Sequence, residues 1–137
     1  MANTELIREW VDFADMDYRT AKHLYAHMYP KPLEIICYHC QQAIEKLLKA
    51  LLLAQGIELK RTHDLGLLAE LLTDHYEIDE CYLEMCDNLT PYGVKIRYPQ
   101  ELYIEERHVD KAMGETEILY QWLSSVIESE LCKGGPT

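Results

Sequence analysis

The residues best suited to bind a ligand stand in one short segment around position 97. Arg97 carries a planar guanidinium whose N–H donors match the oxygens of a phosphate. Tyr92 and Tyr98 supply aromatic rings on which a nucleobase can stack. Pro99 favours an extended backbone at Tyr98, so we predict an irregular loop here rather than a helix. The alternative is a structural role, in which Arg97 binds buried carbonyl oxygens or Asp17 and fixes the loop.

A second group of polar residues borders the apolar stripe of a helix predicted over residues 32–56. His39, Gln42 and Lys46 lie on one edge of that stripe, because they are spaced three and four residues apart. We expect structural roles for His39 and Lys46, with Lys46 on the surface. Gln42 and its neighbour Gln41 can hydrogen-bond to a facing helix, to a second subunit or to a ligand, and the sequence leaves these alternatives open.

Three further charged positions fall inside or beside predicted helices. Asp17 lies near the middle of the first apolar stripe, where an unpaired carboxylate is costly, so we expect it to bind a neighbouring hydroxyl or histidine. Its alternative partner is a functional arginine. Glu45 and Lys49 are predicted to form a solvated pair, and His63 is placed at a helix start. The residues of the first stripe are Leu6, Trp10, Ala14, Ala21, Leu24 and Met28.

Metal and thiol chemistry find little support in the sequence. His23 and His27 are spaced as two ligands of one ion, but no third ligand accompanies them. Cys37 and Cys40 fall inside a helical pattern with no βαβ unit around them, so we predict buried, apolar thiols. The cysteine count of 5 is odd, which favours reduced side chains over a disulfide framework. We therefore predict neither a metal site nor a disulfide.

The overall charge limits the partners that the chain can bind. Its 13 Lys and Arg residues stand against 24 Asp and Glu residues, giving a net charge of -11. This balance argues against a broad nucleic-acid-binding surface, which needs clustered cations, and leaves room only for a small basic pocket. No apolar run reaches the roughly 18 residues of a membrane span, and no secretion signal is recognisable. We expect a cytoplasmic protein.

Helical periodicity recurs along the chain and predicts an all-α fold, a five-helix up-and-down antiparallel bundle. The helix over 32–56 is apolar on several sides, as is typical of a central bundle member or a subunit interface. A four-helix core with one fragmentary helix is the alternative. One domain is predicted over 1–132 and a disordered tail over 133–137. The predicted helices run from an Asn3 or Thr4 cap to about Tyr29, from near Pro32 to Gly56, from a Thr62 cap through Leu72, from Asp79 or Glu80 to Leu89, and from about Glu105 to Cys132, with an irregular loop from Thr90 to Glu101.

Three stretches together carry a resemblance that covers about residues 4 to 130. They are Tyr-His-Cys-Gln-Gln-Ala-Ile-Glu-Lys-Leu-Leu over 38–48, Thr-His-Asp-Leu over 62–65, and Arg-Tyr-Pro over 97–99 with Tyr92 upstream. In this order they are similar to the HEPN domain family (higher eukaryotes and prokaryotes nucleotide-binding). The resemblance implies a five-helix bundle that forms a homodimer. It also implies a minimal nucleotidyltransferase as partner, in a module of the toxin–antitoxin type.

The same family contains ribonucleases, which carry an Arg followed after four to six residues by a His. No arginine of this chain meets that spacing; His23, for example, is one residue too near Arg19. The Arg97 segment instead resembles the non-ribonuclease branch, in which this loop is suspected of binding a nucleotide or the partner protein. We therefore expect a non-catalytic protein that needs no cofactor, with a nucleotide ligand near Arg97. An atypical ribonuclease toxin and a purely structural dimerisation module are the alternatives.

Overall fold

Five α-helices and one short 3-10 helix make up the fold in a computed structural model that describes residues 3–93 and 103–133. No strand occurs within those two ranges, so the prediction of an all-α five-helix bundle is confirmed. The helices are α1 (Thr4–His27), α2 (Leu33–Ala54), α3 (Leu65–Glu70), α4 (Glu80–Leu89) and α5 (Glu106–Lys133), and the 3-10 helix is Thr90–Gly93.

Helix α2 is the centre of the bundle. Of its 22 residues, 12 are buried, including residues on more than one face such as Ile36, Leu48 and Leu52. α1 and α5 each pack mainly against α2 and meet one another through side chains such as the stacked rings of Tyr18 and Tyr120, while α3, α4 and the 3-10 helix close the remaining side. The prediction of a central helix is therefore confirmed.

The helix ends follow from local hydrogen bonding. Asn3 caps α1 by accepting the Leu6 backbone N–H at 3.1 Å, as predicted. The C-terminus of α2 forms a Schellman motif, in which Gly56 adopts a φ of 72° and the Ile57 N–H donates to the Leu52 carbonyl at 2.9 Å. Gly56 ends this helix because it takes the left-handed conformation without strain.

The cap of α3 differs from the prediction. Asp64, not Thr62, accepts the N–H of Leu67 at 3.1 Å and caps the helix. The Thr62 hydroxyl instead accepts the Asp64 N–H at 3.1 Å, forming a turn just before the helix. The side chains of Thr62 and Asp64 thus both accept hydrogen bonds at this helix start, where a cap from Thr62 alone was predicted.

Three other boundaries also differ from their predictions. α1 ends at His27 rather than near Tyr29, and Lys133, assigned to the tail, is the last residue of α5 beside Glu130. Residues 90–93 form a 3-10 helix rather than irregular loop, and the rest of the predicted loop, 94–102, falls outside the described residues, as do 134–137.

On α1 the structure buries Ile7 and exposes Leu6 and Met28, because the core stripe is rotated from the predicted one.

None of the helices within 3–93 and 103–133 combines the length and the apolar character that crossing a bilayer requires. The most apolar helix, α2, is the one that is buried at the centre of the bundle.

Two glycine substitutions test the packing around α2 in opposite directions. A Cβ at Gly93 would lie 2.4 Å from the buried Gln41 side chain, so Gly93→Ala should destabilise the fold by about 1–3 kcal/mol. A Cβ at Gly114, inside α5, meets nothing within 4 Å, so Gly114→Ala should stabilise it by roughly 0.5–1 kcal/mol. Thermal unfolding measures both. Equal shifts of Tm in the two variants would contradict the close approach of Gly93 to α2.

Candidate functional site

A carboxylate, an imidazole and an ammonium meet where α1 crosses α2. Asp17 is only 9% exposed, and its Oδ1 lies 2.8 Å from Nδ1 of His39. Its Oδ2 accepts a hydrogen bond from Lys46, which also lies over the Phe13 ring. The expected pairing of Asp17 with a histidine is therefore confirmed. Lys46 is not the surface residue that we predicted, because its side chain is 24% exposed and bound to Asp17.

A second buried carboxylate, Glu45, lies on α2 itself. Glu45 is 5% exposed, and its oxygens accept hydrogen bonds from Gln41 and Lys49, each at 3.0 Å. Nδ1 of His63 lies 2.8 Å from the same carboxylate. The prediction of a solvated Glu45–Lys49 pair is wrong, because the 55–64 connection folds back and covers Glu45 with His63.

The two adjacent glutamines belong to the Glu45 cluster. Gln42 donates to Oε1 of Gln41 at 2.8 Å, and Gln41 also donates to the backbone carbonyl of His63 at 3.0 Å. Gln41 is fully buried and packs closely against Gly93 at the end of the 3-10 helix. The partners observed for this pair lie on α2 itself and in the 55–64 connection, and not on a facing helix as one of the alternatives had it.

These contacts form two polar clusters along α2, which we together call the α2 network: Asp17, His39 and Lys46 in one, and Gln41, Gln42, Glu45, Lys49 and His63 in the other. Burial alone would raise the pKa of Glu45, but the hydrogen bonds from Gln41, His63 and Lys49 outweigh it and lower that pKa. A carboxylate held ionised by three donors is a poor general base. The network is therefore suited to holding α1 and the 55–64 connection against α2, and offers no free nucleophile.

A separate cavity of about 210 Å³ lies between the 3-10 helix and α5. Burial and the nearby Glu115 carboxylate raise the pKa of Tyr92, which keeps its hydroxyl protonated. Nδ1 of His108 accepts the Glu105 backbone N–H at 2.9 Å, so the neutral imidazole carries its proton on Nε2. The cavity is lined by Asn88, Tyr92, His108, Lys111, Ala112 and Glu115.

This cavity is lined by one cation, one carboxylate and several neutral polar groups. Lys111 provides a positive charge, and the Nε2 of His108 provides a neutral donor. Glu115 is already occupied, since it accepts the Asn88 side-chain amide at 2.9 Å. The 94–102 segment connects the two walls in sequence, because it follows Gly93 and precedes the start of α5. The cavity thus offers one cation and one neutral donor, beside a carboxylate that is bound to Asn88.

The structure divides the eight predicted site residues into three sets. Asp17, His39, Gln42, Lys46 and His63 belong to the α2 network, and Tyr92 lines the separate cavity. The remaining two, Arg97 and Tyr98, lie outside the described residues.

Sequence reasoning missed His108 and Lys111. It treated α5 only as an apolar stripe, although residues 108, 111, 112 and 115 recur at helical spacing on one face. That spacing, directly after the Arg97 segment, was the available signal.

The thiols and histidines do not form a metal centre in the part of the chain that the structure describes, where no three His, Cys, Asp or Glu side chains are arranged around a common point. Cys37 and Cys40 are buried as predicted, and burial raises the pKa of Cys40 to about 11. These thiols therefore remain protonated and behave as small apolar side chains.

Comparison with known protein families decides what kind of domain this is. The family model of the HEPN domain matches residues 7–126, which include α2, the polar network and the Tyr92 cavity. The chain belongs to the HEPN domain family. Membership agrees with the resemblance carried by the 38–48, 62–65 and 97–99 stretches.

Two crystal structures are similar to this HEPN protein over most of its length. An archaeal HEPN homologue, ST0689, is 26% identical, with a TM-score of 0.69, and the match covers 88% of this chain and 97% of that one. TT1696 from Thermus thermophilus is also 26% identical, with a TM-score of 0.70 over 91% and 98% of the two chains. A search of curated proteins finds no match.

Replacing Glu45 tests the role of the network in this HEPN protein. Glu45→Ala leaves Lys49 partly buried without its partner, so we expect a loss of about 3 kcal/mol in the free energy of unfolding at neutral pH. Denaturation in urea measures this loss. Exposed Glu128→Ala is the matched control and should change little. A loss for Glu45→Ala no larger than that of the control would show that the network does not hold the bundle together.

The pH dependence follows from the lowered pKa of Glu45. A carboxyl group whose pKa is lower in the folded state stabilises the fold above its unfolded-state pKa and stops doing so as pH falls through the folded one. The stability difference between wild type and Glu45→Gln should therefore be full at neutral pH and shrink below pH 4.5, the ordinary value. A difference that stays constant down to acid pH would contradict the ionised assignment.

Proposed function

We propose that this HEPN protein is a non-catalytic binding protein of the cytoplasm. It acts as a homodimer whose partner is a minimal nucleotidyltransferase, in a module of the toxin–antitoxin type. A nucleotide binds at the Tyr92 cavity, beside the segment that carries Arg97. The observation that carries the proposal is the cavity itself. Lys111, His108 with its Nε2 donor, and Tyr92 all line it, although the chain as a whole is acidic.

The size of the cavity sets which part of a nucleotide it receives. Its volume of about 210 Å³ is below the roughly 300 Å³ of the smallest typical small-molecule sites. One moiety of a nucleotide therefore enters the cavity, and the phosphate is the moiety that Lys111 and His108 suit. Arg97 and Tyr98 stand in the adjoining segment of the sequence, where a guanidinium and an aromatic ring can bind the rest of the ligand.

The sequence and the α2 network support a non-catalytic role. The chain lacks an Arg followed after four to six residues by a His. The histidines of the network, His39 and His63, are each bound to a buried carboxylate, so they hold helices together. Neither histidine is therefore free to act as an acid or a base in metal-independent cleavage of RNA.

Nucleotide titration tests the cavity. Isothermal titration calorimetry with AMP and ATP should detect binding to the wild type, and Lys111→Ala should weaken it roughly tenfold or more, through loss of a charge-assisted contact. Lys60→Ala, which removes an exposed lysine of the 55–64 connection, is the matched control and should leave affinity unchanged. Equal affinities in the three proteins, or no binding at all, would refute the cavity as a nucleotide site.

Two further assays test the rest of the proposal. Co-expression with a minimal nucleotidyltransferase should yield a stable complex on size-exclusion chromatography, and separate elution of the two proteins would refute the partnership. Incubation of the purified protein with RNA should leave the RNA intact. Cleavage that disappears in both Arg97→Ala and His108→Ala would overturn the non-catalytic assignment and favour a ribonuclease with an atypical Arg and His pair.

A further inference from the structure

The last two turns of α1 carry a pair of exposed histidines. His23 and His27 are four residues apart, so their side chains lie on the same face of the helix. Their ring centroids are 4.9 Å apart, and the ring planes are tilted by 46° rather than stacked. Within residues 3–93 and 103–133 no other two imidazole rings make such a contact.

The rings of this pair are not engaged by other side chains. Among the described residues, His39, His63 and His108 each have a ring nitrogen in a hydrogen bond, whereas His23 and His27 have none. A neutral imidazole has a nitrogen lone pair, which is a common ligand of divalent transition metals. Each ring of the pair therefore keeps a lone pair with which to bind an ion.

The separation of the two rings fits two ligands of one ion. A metal held at about 2.0–2.1 Å by one nitrogen of each ring lies roughly 3 Å from each ring centre, which puts the two centres about 4.5–5 Å apart for ligand angles of about 90–110°. The observed 4.9 Å falls within that range. Because both side chains are exposed and the χ2 torsion of histidine is broad, small ring rotations can aim one nitrogen of each ring at the ion.

The position of the pair at a helix end also favours a cation. His27 is the last residue of α1, where the final carbonyl groups of the helix carry partial negative charge. Two lysines are close in sequence, but the ammonium groups of Lys22 and Lys31 lie over the rings of Tyr18 and Tyr25 at 4.3 and 4.2 Å. The net charge of -11 raises the local concentration of cations around the whole chain. The helix end and the overall charge therefore both attract a divalent ion.

We propose that His23 and His27 form a two-histidine site for a divalent transition-metal ion, the class that includes Ni²⁺, Cu²⁺ and Zn²⁺. No third His, Cys, Asp or Glu among the described residues completes the set. The ion therefore keeps open coordination positions, which water or a ligand from outside the chain fills. Such a site holds its ion more weakly than a three-ligand centre. Metal binding here is independent of the nucleotide proposed for the Tyr92 cavity.

Isothermal titration calorimetry with metal chlorides tests the site on the full chain. The exposed thiols of Cys81 and Cys132 bind the same ions, so both are first changed to Ser to give a parent protein. One ion should bind per parent chain, with Cu²⁺ bound more tightly than Ni²⁺ or Zn²⁺. In this parent, His23→Ala and His27→Ala should each weaken binding roughly tenfold or more, because one imidazole cannot chelate. His75→Ala removes an exposed histidine that has no such neighbour, so it should leave the affinity unchanged.

A relocated pair separates chelation from the mere number of histidines. Lys22→His combined with His27→Ala keeps two histidines in α1 but places them at adjacent positions, about 100° apart around the helix. This variant should bind no better than His27→Ala alone. Binding at the level of the parent protein would show that the ion does not need the face shared by His23 and His27, and would overturn the site.

Nuclear magnetic resonance of the same parent protein locates the ion independently. Paramagnetic Cu²⁺, added at less than one equivalent, should first broaden the amide signals of residues 20–29. Broadening that begins in the acidic 70–87 segment would place the ion on carboxylates and overturn the proposal. MgCl₂ is the control, because Mg²⁺ prefers oxygen ligands and should not select the two imidazoles.

The affinities decide between chelation and general attraction to an acidic chain. Transition-metal ions that bind no more tightly than Mg²⁺, or equally well to the parent and to His23→Ala, would overturn the two-histidine site. No nucleotide is present in these titrations, so this failure is distinguishable from a failure of the nucleotide site, which the Lys111→Ala titration reports.

Discussion

The burial of α2 is the constraint on which the rest of the structure depends. A helix with leucines and isoleucines on several sides cannot remain at a surface, so every other element must supply part of its cover. α1 and α5 take the two largest shares, and the short helices α3 and α4 with the 3-10 helix take the rest. The break before α2 and the Schellman turn after it let the chain turn within a few residues at each end of that helix.

The polar groups of α2 follow from the same constraint. Asp17 and Glu45 lie where two helices or a helix and a connection close over α2, and each is bound by a histidine and a lysine. Breaking such an arrangement would leave a buried charge without a partner, which is energetically costly. This cost fixes the register of α1 and of the 55–64 connection against α2. His39, Lys46 and His63, which the sequence offered as candidate ligand-binding residues, therefore hold the fold. Lys111 and His108 line the Tyr92 cavity instead.

The sequence predicted the fold well because the signals involved are local or periodic. The apolar pattern of α2 and the Asn3 cap each depend on residues close in sequence. The fate of Glu45 was not predictable in this way, since its burial depends on His63, 18 positions away, folding over it. Lys46 was misplaced for the same reason: its partner Asp17 stands on another helix. The walls of the Tyr92 cavity come from the 3-10 helix and α5, which the 94–102 segment separates in sequence, and no single-helix pattern reports such a site.

The family model that matches residues 7–126 makes this chain a HEPN domain, and α2 is the core of that domain. The central claim is that α2 is the last element to lose its structure, because all others cover it. Native-state hydrogen exchange measures this directly. The account predicts that amides of residues 44–52 exchange only through global unfolding and are the slowest in the protein. Faster exchange there than in the middle of α1 or α5 would contradict it.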